Sequence, residues 1–122
     1  MHKFKVLLAL LWTLGIAVAC LMSSSNVPKI TIAGKDKLIH FLFYLGFVVL
    51  WMIAWSTNQS RFSLVKKLSL IFIIALSYGI VMELAQSIFT TTRTADIFDV
   101  FANACGALFG VVVMYFVQHK KA

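Results

Sequence analysis

Acidic residues are almost absent from this sequence: Asp36, Glu83, Asp96 and Asp99 are the whole complement. Charge of either sign is scarce, at 12% of 122 residues against about 25% in an ordinary soluble domain. With 61% of its residues hydrophobic, the chain has too little polar surface to coat a large water-soluble core. There is one proline, Pro28, and there are two cysteines, Cys20 and Cys105, with no Cys or His near either at a metal-binding spacing. A disulfide scaffold and a zinc ribbon are therefore excluded. Each cysteine is expected to serve as a small buried apolar residue. Neither a G-x-S-x-G nucleophile elbow nor an HExxH zinc motif is present, and nothing calls for a cofactor. Repeats and low-complexity tracts are missing too.

What the sequence does have is long apolar runs. Four spans of about 20 residues use most of the chain, so it forms a single domain over residues 1–122, an all-α membrane protein folded as a four-transmembrane-helix bundle. The spans are expected at about 4–22, 36–55, 68–89 and 96–117. The first, preceded by Lys3 and Lys5, has the basic start of a signal peptide, and Ala17-Val18-Ala19-Cys20 is a loose lipoprotein cleavage tetrad. The run is long enough to cross a membrane as it stands and is read as retained. Ser23–Pro28 ends it, because polar residues solvate the chain and proline cannot continue a helix interior. Asp36 is expected to cap the second span. Trp51 and Trp55 fall toward that span's far end, where aromatic rings favour an interface.

The net charge of +7 has no domain-sized basic surface on which to hold a nucleic acid; the basic residues flank the apolar runs instead. Four crossings put both termini on one side. That side carries seven basic residues (Lys3, Lys5, Arg61, Lys66, Lys67, Lys120 and Lys121), against four on the other (Lys29, Lys35, Lys37 and Arg93). The positive-inside rule then places both termini in the cytoplasm. All four acids fall toward the external side.

Each residue of an α-helix advances about 100°. Asp36, His40 and Tyr44 therefore share a face, bordered by Lys37. Gly79, Glu83 and Gln86 share a face of the third span. Asp96, Asp99, Asn103, Gly106 and Gly110 form a stripe on the fourth that is polar outside and small within, and its GxxxG permits close helix approach. Lipid does not solvate such faces, so they are expected to meet at one depth, with Lys37 and Arg93 supplying positive charge. Two readings stand: a polar network that locks the bundle, and a binding or catalytic site. A metal site drawn from His40, Glu83, Asp96 and Asp99 has its ligands scattered along the chain, and no metal is assigned.

The pattern Asp36-Lys37-x-x-His40-x-x-x-Tyr44, then Glu83-x-x-Gln86, then Arg93-x-x-Asp96-x-x-Asp99-x-x-x-Asn103-x-x-Gly106 resembles the VanZ-like family over roughly residues 35–113. Members are small bacterial membrane proteins, and the founding member is associated with resistance to the glycopeptide antibiotic teicoplanin. Thr90-Thr91-Thr92 departs from the proline or glycine expected before the arginine, which bears on the shape of that turn. The resemblance implies a cell-envelope role linked to antibiotic resistance. Two functional readings follow. In the first, an outer-leaflet pocket holds a lipid headgroup or a lipid-linked cell-wall component, with Lys37 and Arg93 meeting phosphate. In the second, the protein is a membrane-embedded enzyme acting on a lipid phosphate, with His40 as general base and Glu83 or Asp99 orienting it or serving as acid.

Overall fold

The computed structural model describes residues 2–21, 35–55, 62–89 and 97–121. These form four helices, α1 (His2–Leu21), α2 (Lys35–Trp55), α3 (Leu64–Phe89) and α4 (Ile97–Lys121). All four are long and apolar enough to cross a membrane. A helix satisfies its own backbone hydrogen bonds, which is the condition for residence in lipid. Large apolar side chains such as Leu14, Ile74, Ile88, Phe101 and Leu108 stand outward, so the bundle presents a hydrophobic exterior suited to acyl chains.

The boundaries differ from the sequence expectation at three places. α3 begins at Leu64, a turn before the expected Leu68. Ser63 caps it: the Ser63 hydroxyl accepts from the Lys66 N–H at 3.2 Å, and its carbonyl accepts from the Lys67 N–H at 3.0 Å. Lys66 and Lys67 therefore stand in the first helical turn and not in the connection. α4 continues past residue 117 to Lys121. α2 starts at Lys35, so the backbone of Asp36 lies within the first turn and not ahead of it, while its side chain, and so the expected capping contact, lies outside the described residues.

Contacts set the directions. Val6 of α1 lines one groove with Ala54 and Trp55 of α2 and Ile71 of α3. Towards the other end, Trp12 Nε1–H donates to the Phe43 carbonyl at 2.8 Å, and Gln86 donates to the Cys20 carbonyl at 2.8 Å. α1 thus runs antiparallel to α2 and parallel to α3. α2 and α4 run parallel, joined at one end by Lys37 and Asp99 and at the other by Gln118, which donates to the Met52 carbonyl at 3.3 Å. The chain goes up, down, up, down, and the start of α1 lies at the same end as the finish of α4.

The most extensive packing is between α2 and α4. Gly106 makes it possible: a Cβ there would overlap the backbone of Phe41. Gly110 meets Val48 in the same way, one turn on. The buried positions of α3 follow one seam (Leu68, Ile71, Ala75, Gly79, Glu83, Gln86), at steps of three and four. That seam is aliphatic at its start, small at its middle and polar at its end. α1 is tied on by Thr13, which sequence reading passed over. Its hydroxyl donates to the Ala9 carbonyl at 2.8 Å and accepts from Trp51 Nε1–H at 2.9 Å, while its carbonyl accepts from the Tyr78 hydroxyl at 2.7 Å. Trp51 therefore turns into the bundle instead of serving only as an interfacial ring.

Candidate functional site

The polar ends of three seams come together at the end of the bundle remote from Val6 and Gln118. α2 contributes Lys37 and His40, α3 contributes Glu83, and α4 contributes Asp99 and Asn103. His40, Glu83, Asp99 and Asn103 are each at most 4% exposed. Charged and amide groups at that burial need partners, since an unpaired polar atom away from water costs on the order of 1–3 kcal/mol.

Lys37 Nζ stands 2.5 Å from Asp99 Oδ1. The Lys37 side chain keeps 38% of its surface exposed and Asp99 keeps 6%, so the pair bridges the outside and the interior of the bundle. The other carboxylate oxygen, Asp99 Oδ2, lies 3.6 Å from His40 Nε2. His40 Nδ1 is 3.0 Å from Asn103 Oδ1. An amide oxygen can only accept, so Nδ1 donates in this contact, and the ring is held with Nε2 turned to Asp99. One ligand atom from each of His40, Glu83 and Asp99 lies within 4.8 Å of the other two.

Beneath this cluster is an aromatic layer. Phe47 stacks on Tyr78 at 5.7 Å between ring centroids, and Tyr44 packs against both. Tyr44 is fully buried, and its hydroxyl has no hydrogen-bond partner among the described residues. It lies where a Cβ on Gly79 would meet both the Tyr44 ring and the Asn103 amide nitrogen. Gly79 thus leaves the room in which Asn103 reaches His40.

Of the residues singled out from sequence, the structure brings Lys37, His40, Glu83, Asp99 and Asn103 together. Tyr44 sits one turn further in, in the aromatic layer. Gln86, buried on the same face of α3 as Glu83, donates to the α1 carbonyl of Cys20. Gly106 and Gly110 lie in the α2–α4 contact. Arg93, Asp96 and the side chain of Asp36 lie outside the described residues. Neither Cys20 nor Cys105 is in a disulfide among the described residues. The apolar grooves at Leu68, Phe72, Leu108 and Tyr115 and at Val6, Trp51 and Ile71 lie toward the opposite end and contain none of these polar residues.

A family model described as VanZ/LLP1 matches residues 21–118, which include every site residue and leave nearly all of α1 outside. No curated protein and no solved structure matches the chain.

Proposed function

The chain belongs to the VanZ-like family, and from that premise we propose that it is a multi-pass inner-membrane protein whose polar cluster receives the headgroup of a lipid or lipid-linked cell-envelope component at the outer leaflet. The observation that carries this reading is the gradation of exposure across one ion pair: a half-exposed Lys37 at the rim, joined to a buried Asp99 and through it to His40 and Asn103. A rim ammonium meets phosphate as a charge-assisted donor. The buried acceptors behind it hold that ammonium in place, and the outward apolar side chains suit the acyl or prenyl tail of the same ligand. The basic-residue bias supports an orientation with both termini in the cytoplasm and this end of the bundle outside. Action on a lipid-linked wall precursor connects the protein to glycopeptide resistance of the teicoplanin type.

Binding is tested by titrating the purified chain, in neutral detergent, with a polyprenyl phosphate and with diacylglycerol. Saturable binding of the phosphate lipid alone, weakened at least ~10-fold in Lys37→Ala, is expected from loss of a charge-assisted contact. Absence of saturable binding, or binding indifferent to both Lys37→Ala and Asp99→Asn, would overturn the proposal.

One observation favours the enzymatic reading. His40 is oriented through Nδ1 and turns Nε2 to Asp99, with Glu83 close by, the arrangement of a positioned acid–base residue. Turnover of the phosphate lipid that disappears in His40→Ala, with binding retained, distinguishes an enzyme from a receptor.

A further inference from the structure

Around His40 the described residues place two carboxylates from two different helices, Glu83 and Asp99. Lys37 takes Asp99 Oδ1 and leaves Oδ2 directed to His40 Nε2. Oδ2 and Nε2 stand 3.6 Å apart, beyond direct hydrogen-bonding distance and close enough to share one ion.

We propose that His40 Nε2, Glu83 and Asp99 Oδ2 form a binding site for a divalent cation of the zinc class, with Asn103 fixing the imidazole and Lys37 fixing the Asp99 carboxylate. Two ligand atoms on one tetrahedral zinc ion stand about 3.4 Å apart, given zinc–nitrogen and zinc–oxygen distances near 2.1 Å. The His40–Asp99 separation of 3.6 Å already matches that span. One carboxylate oxygen of Glu83 lies within 4.8 Å of a ligand atom of each of the other two residues. Ligating histidines characteristically donate their other ring N–H to an oxygen acceptor, and ligating carboxylates are themselves hydrogen-bonded. Asn103 and Lys37 do both.

A second observation is independent of the ligand set. The Tyr44 hydroxyl is buried, lies one turn from His40 beside Gly79 and Asn103, and has no partner among the described residues. Three protein ligands leave a coordination position open on zinc, and a water in that position carries hydrogens and lone pairs that can serve the phenol. The ligands are scattered along the sequence, at positions 40, 83 and 99, and helix packing alone collects them. A cation bound there would also attract a phosphate headgroup. The proposal goes beyond the headgroup reading and does not depend on it.

The test uses the full chain, purified in neutral detergent, stripped with chelator and given zinc alone, with no phosphate lipid added. Calorimetry and elemental analysis are expected to show about one saturable zinc per chain. Affinity should fall at least ~10-fold in Glu83→Gln and roughly 100-fold in His40→Ala, and should be unchanged in His119→Ala and in the double variant Cys20→Ser, Cys105→Ser. Should His40→Ala fail to fold, X-ray absorption of the zinc-loaded wild type decides: oxygen and nitrogen neighbours with a single imidazole support the site. Sulfur or several imidazoles overturn it, as does less than about a tenth of an equivalent bound, or binding that persists in folded His40→Ala. Failure here leaves headgroup binding standing, because the lipid titration is a separate measurement.

Discussion

Gly106→Ala adds one methyl group at the closest approach of α2 and α4. The added carbon would overlap the carbonyl oxygen, carbonyl carbon and Cα of Phe41. These are main-chain atoms of a helix and cannot rotate away, so the two helices must separate. Overpacking of this kind costs about 1–3 kcal/mol, and the upper part of that range applies where backbone is the obstacle. The helix-propensity gain of alanine over glycine, roughly 0.5–1 kcal/mol, offsets some of it. The expected net loss is about 1–2 kcal/mol. Gly15→Ala is the matched control, because a Cβ at Gly15 meets nothing within 4 Å. It keeps the propensity gain and should be neutral or slightly stabilising. Thermal unfolding in detergent, followed by the fraction of monodisperse protein, should place the two variants about 2 kcal/mol apart in stability. If Gly106→Ala is as stable as Gly15→Ala, the close approach of α2 and α4 is not what holds the bundle, and the placement of Asn103 against His40 loses its mechanical basis.

Reporter fusions at the C-terminus and in the 56–63 connection should both read as cytoplasmic; a periplasmic signal from either overturns the orientation and the outer placement of the site. Tyr78→Phe removes the hydrogen bond to the Thr13 carbonyl and should lower stability by about 0.5–1.5 kcal/mol in the same unfolding assay, with metal and lipid binding unchanged. Arg93 follows Glu83 by ten residues in sequence. If it neutralises the acidic cluster, Arg93→Ala should cost about 3–5 kcal/mol or abolish function, and Glu83→Gln should partly restore Arg93→Gln; full stability and phenotype in Arg93→Ala would make it a solvated turn residue. Gly79→Ala places a Cβ 2.9 Å from the Asn103 amide nitrogen, a flexible obstacle, so it should weaken binding at His40 roughly 10-fold while the protein still folds.

Much of this architecture can be read from residue spacing. The helical period alone puts His40 with Tyr44, Glu83 with Gly79, and Asp99 with Asn103 and Gly106. The expense of polar groups in lipid says that such faces turn inward. What the period cannot give is the choice among partners. Lys37 reaches Asp99, 62 residues away, and Gln86 reaches the backbone of α1. Both outcomes depend on the rotation of each helix about its axis, which is set by packing over the whole interface. Thr13 was illegible for a related reason. A lone threonine inside an apolar run usually bonds its own helix, as it does to Ala9, and nothing nearby in sequence announces that Trp51 and Tyr78 converge on it. The start of α3 was misplaced because Lys66 and Lys67 look like a loop, whereas the Ser63 cap carries them into the first turn.

Packing and chemistry are not separable in this bundle, because they lie on the same stripe of α4. Asp99 and Asn103 face α2 at one end, and Gly106 and Gly110 face it further along. Small residues bring α2 close enough for Asn103 to hold an imidazole that belongs to a different helix. The imidazole in turn lies between that amide and the carboxylates, which fixes the rotation of α2 at its polar end. A soluble protein would bring such groups together by burying apolar surface, but lipid offers little of that driving force. Here close backbone approach and interhelical hydrogen bonds supply the association, and the groups that make those bonds are the ones available to a ligand. A polar network that only locked the bundle would be expected to leave its buried polar atoms satisfied. The Tyr44 hydroxyl, fully buried beside Asn103 and without a partner among the described residues, is the atom on which the structural and the ligand-binding readings differ.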